Sequence, residues 1–228
     1  MPRVESATLF TPGRASYLDE SDVLQLTTAS QRRADVAAET YDADVHDSAI
    51  FAGGFPGLTQ RWDKSLTPPP NRREAHLMAV PLTSRLNSEH RSTSEIGSVV
   101  LTQGDSSNSF GDVILSVERG LLNPDAFNSN DSHGIDLTTG ELHGRRFRSM
   151  LSLALDIDPS RIRRVPMRDV YGTPAYPRQP AVSTEKAIAT ELAAIVTTKL
   201  VLRKVKPGDL EGLKDAEQQF IAIASKRP

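Results

Sequence analysis

Ser48-Ala49-Ile50-Phe51-Ala52-Gly53-Gly54 is a short apolar run cut off by two glycines. Consecutive apolar residues leave no face for water, so the run reads as a strand buried on both sides, as in a parallel sheet covered by helices. Upstream, Ala7-Thr8-Leu9-Phe10 is a second strand candidate; it stops at Thr11-Pro12-Gly13-Arg14, where proline and glycine force a turn. Between the two, Val23, Leu26, Ser30, Ala34, Ala37 and Tyr41 recur at spacings of three and four. They predict a helix capped by Asp19 or Ser21, with small residues suited to close packing on a sheet. Strand, helix, strand is a βαβ unit.

The same alternation continues downstream. Residues 55–71, with Trp62 and Pro68-Pro69-Pro70, predict a long loop, because three prolines remove three backbone donors. A helix is expected to begin near Asn71, to carry Glu74, Ala75, Leu77 and Met78, and to end near Val80 or kink at Pro81. Residues 83–93 are polar, 96–101 fit a strand or a helix equally, and 109–122 form an amphipathic helix pattern. Residues 134–139 predict another strand, and 141–155 a helix with Phe147, Leu151, Ala154 and Leu155 facing inward until Asp158-Pro159 closes it. Ile162 and Val165 suit a last strand and 168–181 a proline-rich loop; Ser183 caps a helix to about Leu202, and Pro207-Gly208 sets off a final one over 210–224. The reading is an α/β fold: a three-layer sandwich with a mainly parallel, Rossmann-like sheet over residues 1–168, and a C-terminal helical extension, 169–228, packed on the same domain. Ala187, Ile188, Leu192, Ile195, Val196 and Leu200, with Phe220, Ile221 and Ile223, are expected to cover the sheet or to pair chains into a homo-oligomer.

Composition removes several function classes. The 228 residues suffice for a core that hides roughly 70% of the unfolded surface without a metal or disulfide staple. A content of 38% apolar and 25% charged residues with a net charge of −2 indicates neither disorder nor a nucleic-acid-binding field, and 5% aromatic residues argue against base-stacking platforms. Without cysteine there is no disulfide, thiolate nucleophile or zinc–thiolate site. Met1-Pro2-Arg3-Val4-Glu5-Ser6 lacks the apolar core of a signal peptide, and no run of about 18 apolar residues follows. A cytoplasmic protein without membrane insertion is expected.

In an open parallel sheet, ligands bind outside the carboxyl ends of the strands, where loops diverge and helix N-termini present free amides. The residues there are Gly13 and Arg14, then Gly53 and Gly54, then Thr139, Gly140 and Glu141, with His143 and Arg146 on one face of the helix that follows. The histidine brings a titratable ring and the arginine a fixed cation to an anion-friendly helix end. Each also has a structural explanation: the glycines as turn punctuation, Glu74 as a first-turn acid favoured by the dipole, Ser92 and Thr93 as a helix cap. Glu74, His76, His133 and His143 lack the His-x-x-x-His or His-Glu-x-x-His spacing of a metal helix, so no metal site is expected. The Gly-x-Ser-x-Gly elbow and the dinucleotide fingerprint are missing too.

Gly53-Gly54, Glu74-Ala75, the Ser/Thr-rich Arg91-Ser92-Thr93-Ser94-Glu95 and Thr139 with His143-Gly144-Arg145-Arg146 follow one another in an order that resembles a bacterial family. It is the Rossmann-like domain of unknown function found in YdcF, SanA and ElyC of bacterial envelopes, and the resemblance spans about residues 7–166. Ile96 stands where that family has asparagine after its Thr-x-Glu segment, and Pro81 interrupts a helix the family completes. The resemblance implies a site for a nucleotide-like or phosphorylated small molecule, S-adenosylmethionine among the candidates, held by Gly13, Arg14, Gly53, Gly54, Ser92, Thr93, Thr139 and Arg146. Glu74 and His143 would be acid and base if a reaction occurs. The other expectation is a non-enzymatic ligand sensor or assembly protein linked to envelope physiology.

Overall fold

The computed structural model describes residues 5–14, 16–18, 24–54, 73–106, 108–167 and 183–225. The expected caps Asp19 and Ser21 and the two proline-bearing loops, 55–71 and 168–181, lie outside the described residues.

Strands β1 (Ser6–Pro12), β4 (His46–Ala52), β5 (Val100–Gln103), β6 (His133–Leu137) and β7 (Ile162–Arg164) make one sheet in the order β5-β4-β1-β6-β7. All its pairings are parallel. Ala49, Ile50, Phe51 and Ala52 are buried without exception, as a strand covered on both faces requires. Leu9, Ala49 and Phe51 point into the layer made by helices α1 (Thr28–Thr40) and α2 (Glu74–Ser88), where Ala34, Met78, Leu82 and Leu86 meet them. Phe10, Ile50, Ile135 and Leu137 point the other way, onto α4 (Ser109–Glu118) and α6 (Glu141–Leu155). The chain is therefore an α/β three-layer sandwich of Rossmann-like form. Strand order reverses at β1, which puts a crevice outside the carboxyl ends of β1 and β6.

Helices α7 (Thr184–Leu202) and α8 (Leu210–Ala224) lay Val201, Leu202, Leu213 and Ala216 into the same core as α4 and α6. They cover that layer, while Leu192, Val196 and Leu200 remain on the outside of α7. Among the described residues, no helix is long and apolar enough to cross a membrane.

Several local expectations give way to tertiary structure. The helix before β4 starts at Thr28, capped by Thr27, because Leu24–Leu26 is instead strand β3, paired antiparallel with β2 (Ser16–Leu18). Helix α2 runs through Pro81 to Ser88: the half-exposed proline forgoes one backbone bond, and fully buried Leu82 and Leu86 hold the second half in place. The ambiguous 96–101 stretch contains both alternatives, since α3 (Thr93–Val99) passes directly into β5. The helix expected over 109–122 stops at Glu118, where Gly120 at φ 69° supplies a left-handed turn. A short helix, α5 (Pro124–Asn128), then leads into β6.

Candidate functional site

The carboxyl ends of β1 and β4 are drawn together around one carboxylate. Glu74, on the first turn of α2, is fully buried, and its Oε1 accepts from the Arg14 backbone N–H at 3.0 Å and the Ser30 hydroxyl at 2.6 Å. A Cβ at Gly13 would stand 2.5 Å from the Glu74 carboxyl carbon, so a side chain there would displace that carboxylate from its bonds. Gly54 is constrained more firmly: its Cβ would overlap the Ser106 backbone carbonyl oxygen. These glycines allow close backbone approach, which is more specific than ending a strand.

From the other side of the switch point come His143 and Arg146 on α6, both buried. Arg33, on α1, donates to the Pro12 and Gly13 carbonyls at 2.7 and 3.0 Å and lies 2.7 Å from His143 Nδ1. A guanidinium can only donate, so Nδ1 is the acceptor. In the neutral ring the proton then sits on Nε2, which donates to the Ser109 hydroxyl at 3.1 Å. Burial, with the charges of Arg33, Arg146 and Arg14 adding to it, holds the ring well below the usual histidine value. His143 is thus a fixed neutral donor near pH 7, a poor proton acceptor because its basic nitrogen is engaged by Arg33. Thr139 stays next to it, 3.4 Å from Nδ1, behind the cavity wall.

Gly13, Arg14, Gly53, Gly54, Glu74, His143 and Arg146 line one cavity of about 290 Å³. The rest of its lining contains residues that sequence reading passed over: Ser106 and Asn108 from the β5–α4 turn, Ser109 and Asp112 from the first turn of α4, and Glu191 from α7. Asn108 caps α4 through Oδ1 and donates to Glu217 on α8 at 2.6 Å. Asp112 accepts from the Ser106 hydroxyl. Burial pushes its carboxyl up to about 7, and the charge of Glu74 adds to this, against the Ser106 hydrogen bond, Arg33 and Arg146. Glu191 stands between two cations, 3.4 Å from Arg14 and 3.8 Å from Arg146. Arg146 also donates from Nε to Thr198 at 3.3 Å and lies over the Phe220 ring at 5.2 Å, so α7 and α8 build the site as well as the core.

Ser92 and Thr93 do not reach this cavity. They are exposed and start α3, which enters the amino end of β5, and Ser92 forms a capping box with Glu95. The cap reading of these residues is therefore the one realised, and the Ser/Thr-rich segment that enters the site lies one element further on, at Ser106 and Ser109. A signal for it was present in the polar run between β5 and α4, with Asn108 in the capping position. Neither His76, which bonds Thr102 at 3.1 Å, nor His133, at the start of β6, joins Glu74 and His143. Among the described residues, no cluster of three or more histidine and acidic side chains is arranged to hold a metal ion.

No protein-family model matches the chain, and neither a curated protein nor a solved structure matches it.

Proposed function

We propose that the cavity binds a small anionic molecule, phosphorylated or nucleotide-like, at the carboxyl ends of β1 and β4. The observation that carries this reading is the convergence of Arg14 and Arg146 on one carboxylate, Glu191, inside a crevice at the topological switch point. Two guanidiniums that share an acid present donors in the fork geometry that suits phosphate or carboxylate. The Ser109 hydroxyl, which accepts from neutral His143, keeps its own proton as a donor that brings no negative charge. The proposal includes kinship with the YdcF, SanA and ElyC domains, supported by Gly53, Gly54, Glu74, His143 and Arg146 lining one space although they come from distant parts of the chain.

Binding fits this geometry better than turnover by Glu74 and His143. Glu74 is sealed between Arg14 and Ser30, and His143 is held at both nitrogens. If a proton is exchanged with the ligand, Asp112 is the group whose carboxyl is pushed toward neutrality, to about 7. This favours a ligand sensor or carrier.

The test is a thermal-shift panel of inorganic phosphate, pyrophosphate, sugar phosphates, nucleotides and S-adenosylmethionine. A hit at about 100 times its Kd adds roughly 2.7 kcal/mol of stability. Arg146→Ala is expected to weaken that hit by about 1.5–3 kcal/mol, the range for a hydrogen bond to a charged group. A hit unchanged by both Arg146→Ala and Arg14→Ala would place the binding elsewhere, and turnover of the hit would overturn the sensor reading.

A further inference from the structure

We infer that the ligand is a compact phosphorylated polyol, of the sugar-phosphate class, and not a nucleotide. This rests on the anion-site reading above and narrows it. The lining carries acceptors beside its cations: the carboxylates of Asp112 and Glu191, with the hydroxyls of Ser106 and Ser109. Inorganic phosphate would satisfy Arg14 and Arg146 yet bring no donor to those carboxylates, and it would be repelled by them. Hydroxyl groups are neutral donors, so a polyol carrying one phosphate answers both kinds of group in the same space. An ammonium-bearing ligand would meet Arg14 and Arg146, with Arg33 directly behind His143. A nucleobase requires a flat apolar or aromatic platform. Among the described residues the cavity wall has no Phe, Tyr, Trp or aliphatic side chain, and the His143 ring already packs edge-on against Phe147, with centroids 4.9 Å apart. The volume of about 290 Å³ is at the small end for ligand pockets, which span roughly 300–1,000 Å³, and it suits one sugar ring with its phosphate.

The experiment is calorimetric titration of the full chain with glucose 6-phosphate, glycerol 3-phosphate, glucose, inorganic phosphate and adenosine monophosphate. The expected result is binding of at least one of the two polyol phosphates at least about tenfold tighter than inorganic phosphate and adenosine monophosphate, since one hydrogen bond to a charged group is worth about a factor of ten or more. Asp112→Asn is expected to lower polyol-phosphate affinity about tenfold without lowering that of inorganic phosphate, whereas Arg146→Ala lowers both. Ser109→Ala serves as a second variant should Asp112→Asn not fold. Adenosine monophosphate binding as tightly as the polyol phosphates, or inorganic phosphate doing so, would overturn the inference while leaving the anion site intact. Failure of every phosphate-bearing probe, inorganic phosphate included, would overturn the anion site and the inference together.

Discussion

From the amino ends of β4 and β6, His46 reaches within 3.1 Å of Asp136 and His133 within 3.3 Å of Asp47, while Arg163 grips Asp136 with two bonds of 2.8 Å. At the carboxyl ends the buried histidine faces an arginine instead, and a buried acid, Asp112, sits close enough to Glu74 to feel its charge. At the first end Arg163 pairs with the opposite charge of Asp136, and the histidine–acid contacts help bind the sheet to itself. At the second end a neutral imidazole and a near-neutral carboxyl are kept around a cavity, an arrangement typical of functional sites, where burial and neighbours move pKa values far from their usual range.

The two ends consequently respond to pH in opposite directions. Asp112 has its folded pKa raised to about 7 from 3.8, so its contribution to stability is complete below about pH 4 and is lost as pH rises through 7. Replacing it should reveal the largest effect: between pH 4 and 7 the wild type should lose up to about 4 kcal/mol relative to Asp112→Asn, measured by urea denaturation at a series of pH values. Parallel stability curves for the two proteins would remove the distinction between the ends.

Asp136 sharpens the comparison from the other side. Burial pushes its carboxyl up, but the hydrogen bonds and charges of His46 and Arg163 outweigh this and leave it below the usual value. Its contribution is present above the unfolded pKa and disappears as pH falls through the lower, folded one. Asp136→Asn should therefore cost about 1.5–3 kcal/mol at pH 7, and almost nothing in strong acid, without altering phosphate-ligand affinity. Weakened ligand binding in this variant would mean that the ends are energetically coupled.

The smallest effect is expected at Ser92, on the amino side of β5. Loss of its cap in Ser92→Ala should cost about 1 kcal/mol by denaturant titration, with unchanged binding of every probe. A change in affinity would return Ser92 to the ligand site.

Most residues of the site that were legible in the sequence share one property: they follow a strand at short range. Gly13, Gly53, Gly54, His143 and Arg146 can be located by counting from an apolar run, because a parallel strand points its next few residues toward the crevice. Arg33 and Glu191 could not be found this way. Arg33 occupies the middle of α1 and turns back to the Pro12 and Gly13 carbonyls, and Glu191 arrives on a helix that follows the last strand. Their sequence neighbourhoods look like ordinary solvated helix surface.

The alternation of strands and helices and the burial of β1 and β4 were determined by the sequence itself, since apolar periodicity and glycine or proline breaks act within a few residues. The bounds of α6, α7 and α8 were legible for the same reason, through Asp158-Pro159 after the first, Ser183 at the start of the second and Pro207-Gly208 before the third. Tertiary structure alone decided that α2 would continue past Pro81 and that α7 would carry Glu191 to Arg14 and Arg146. Each of these depends on contacts between residues distant in the chain, where burying Leu82, Leu86, Val201 and Leu202 outweighs local preference.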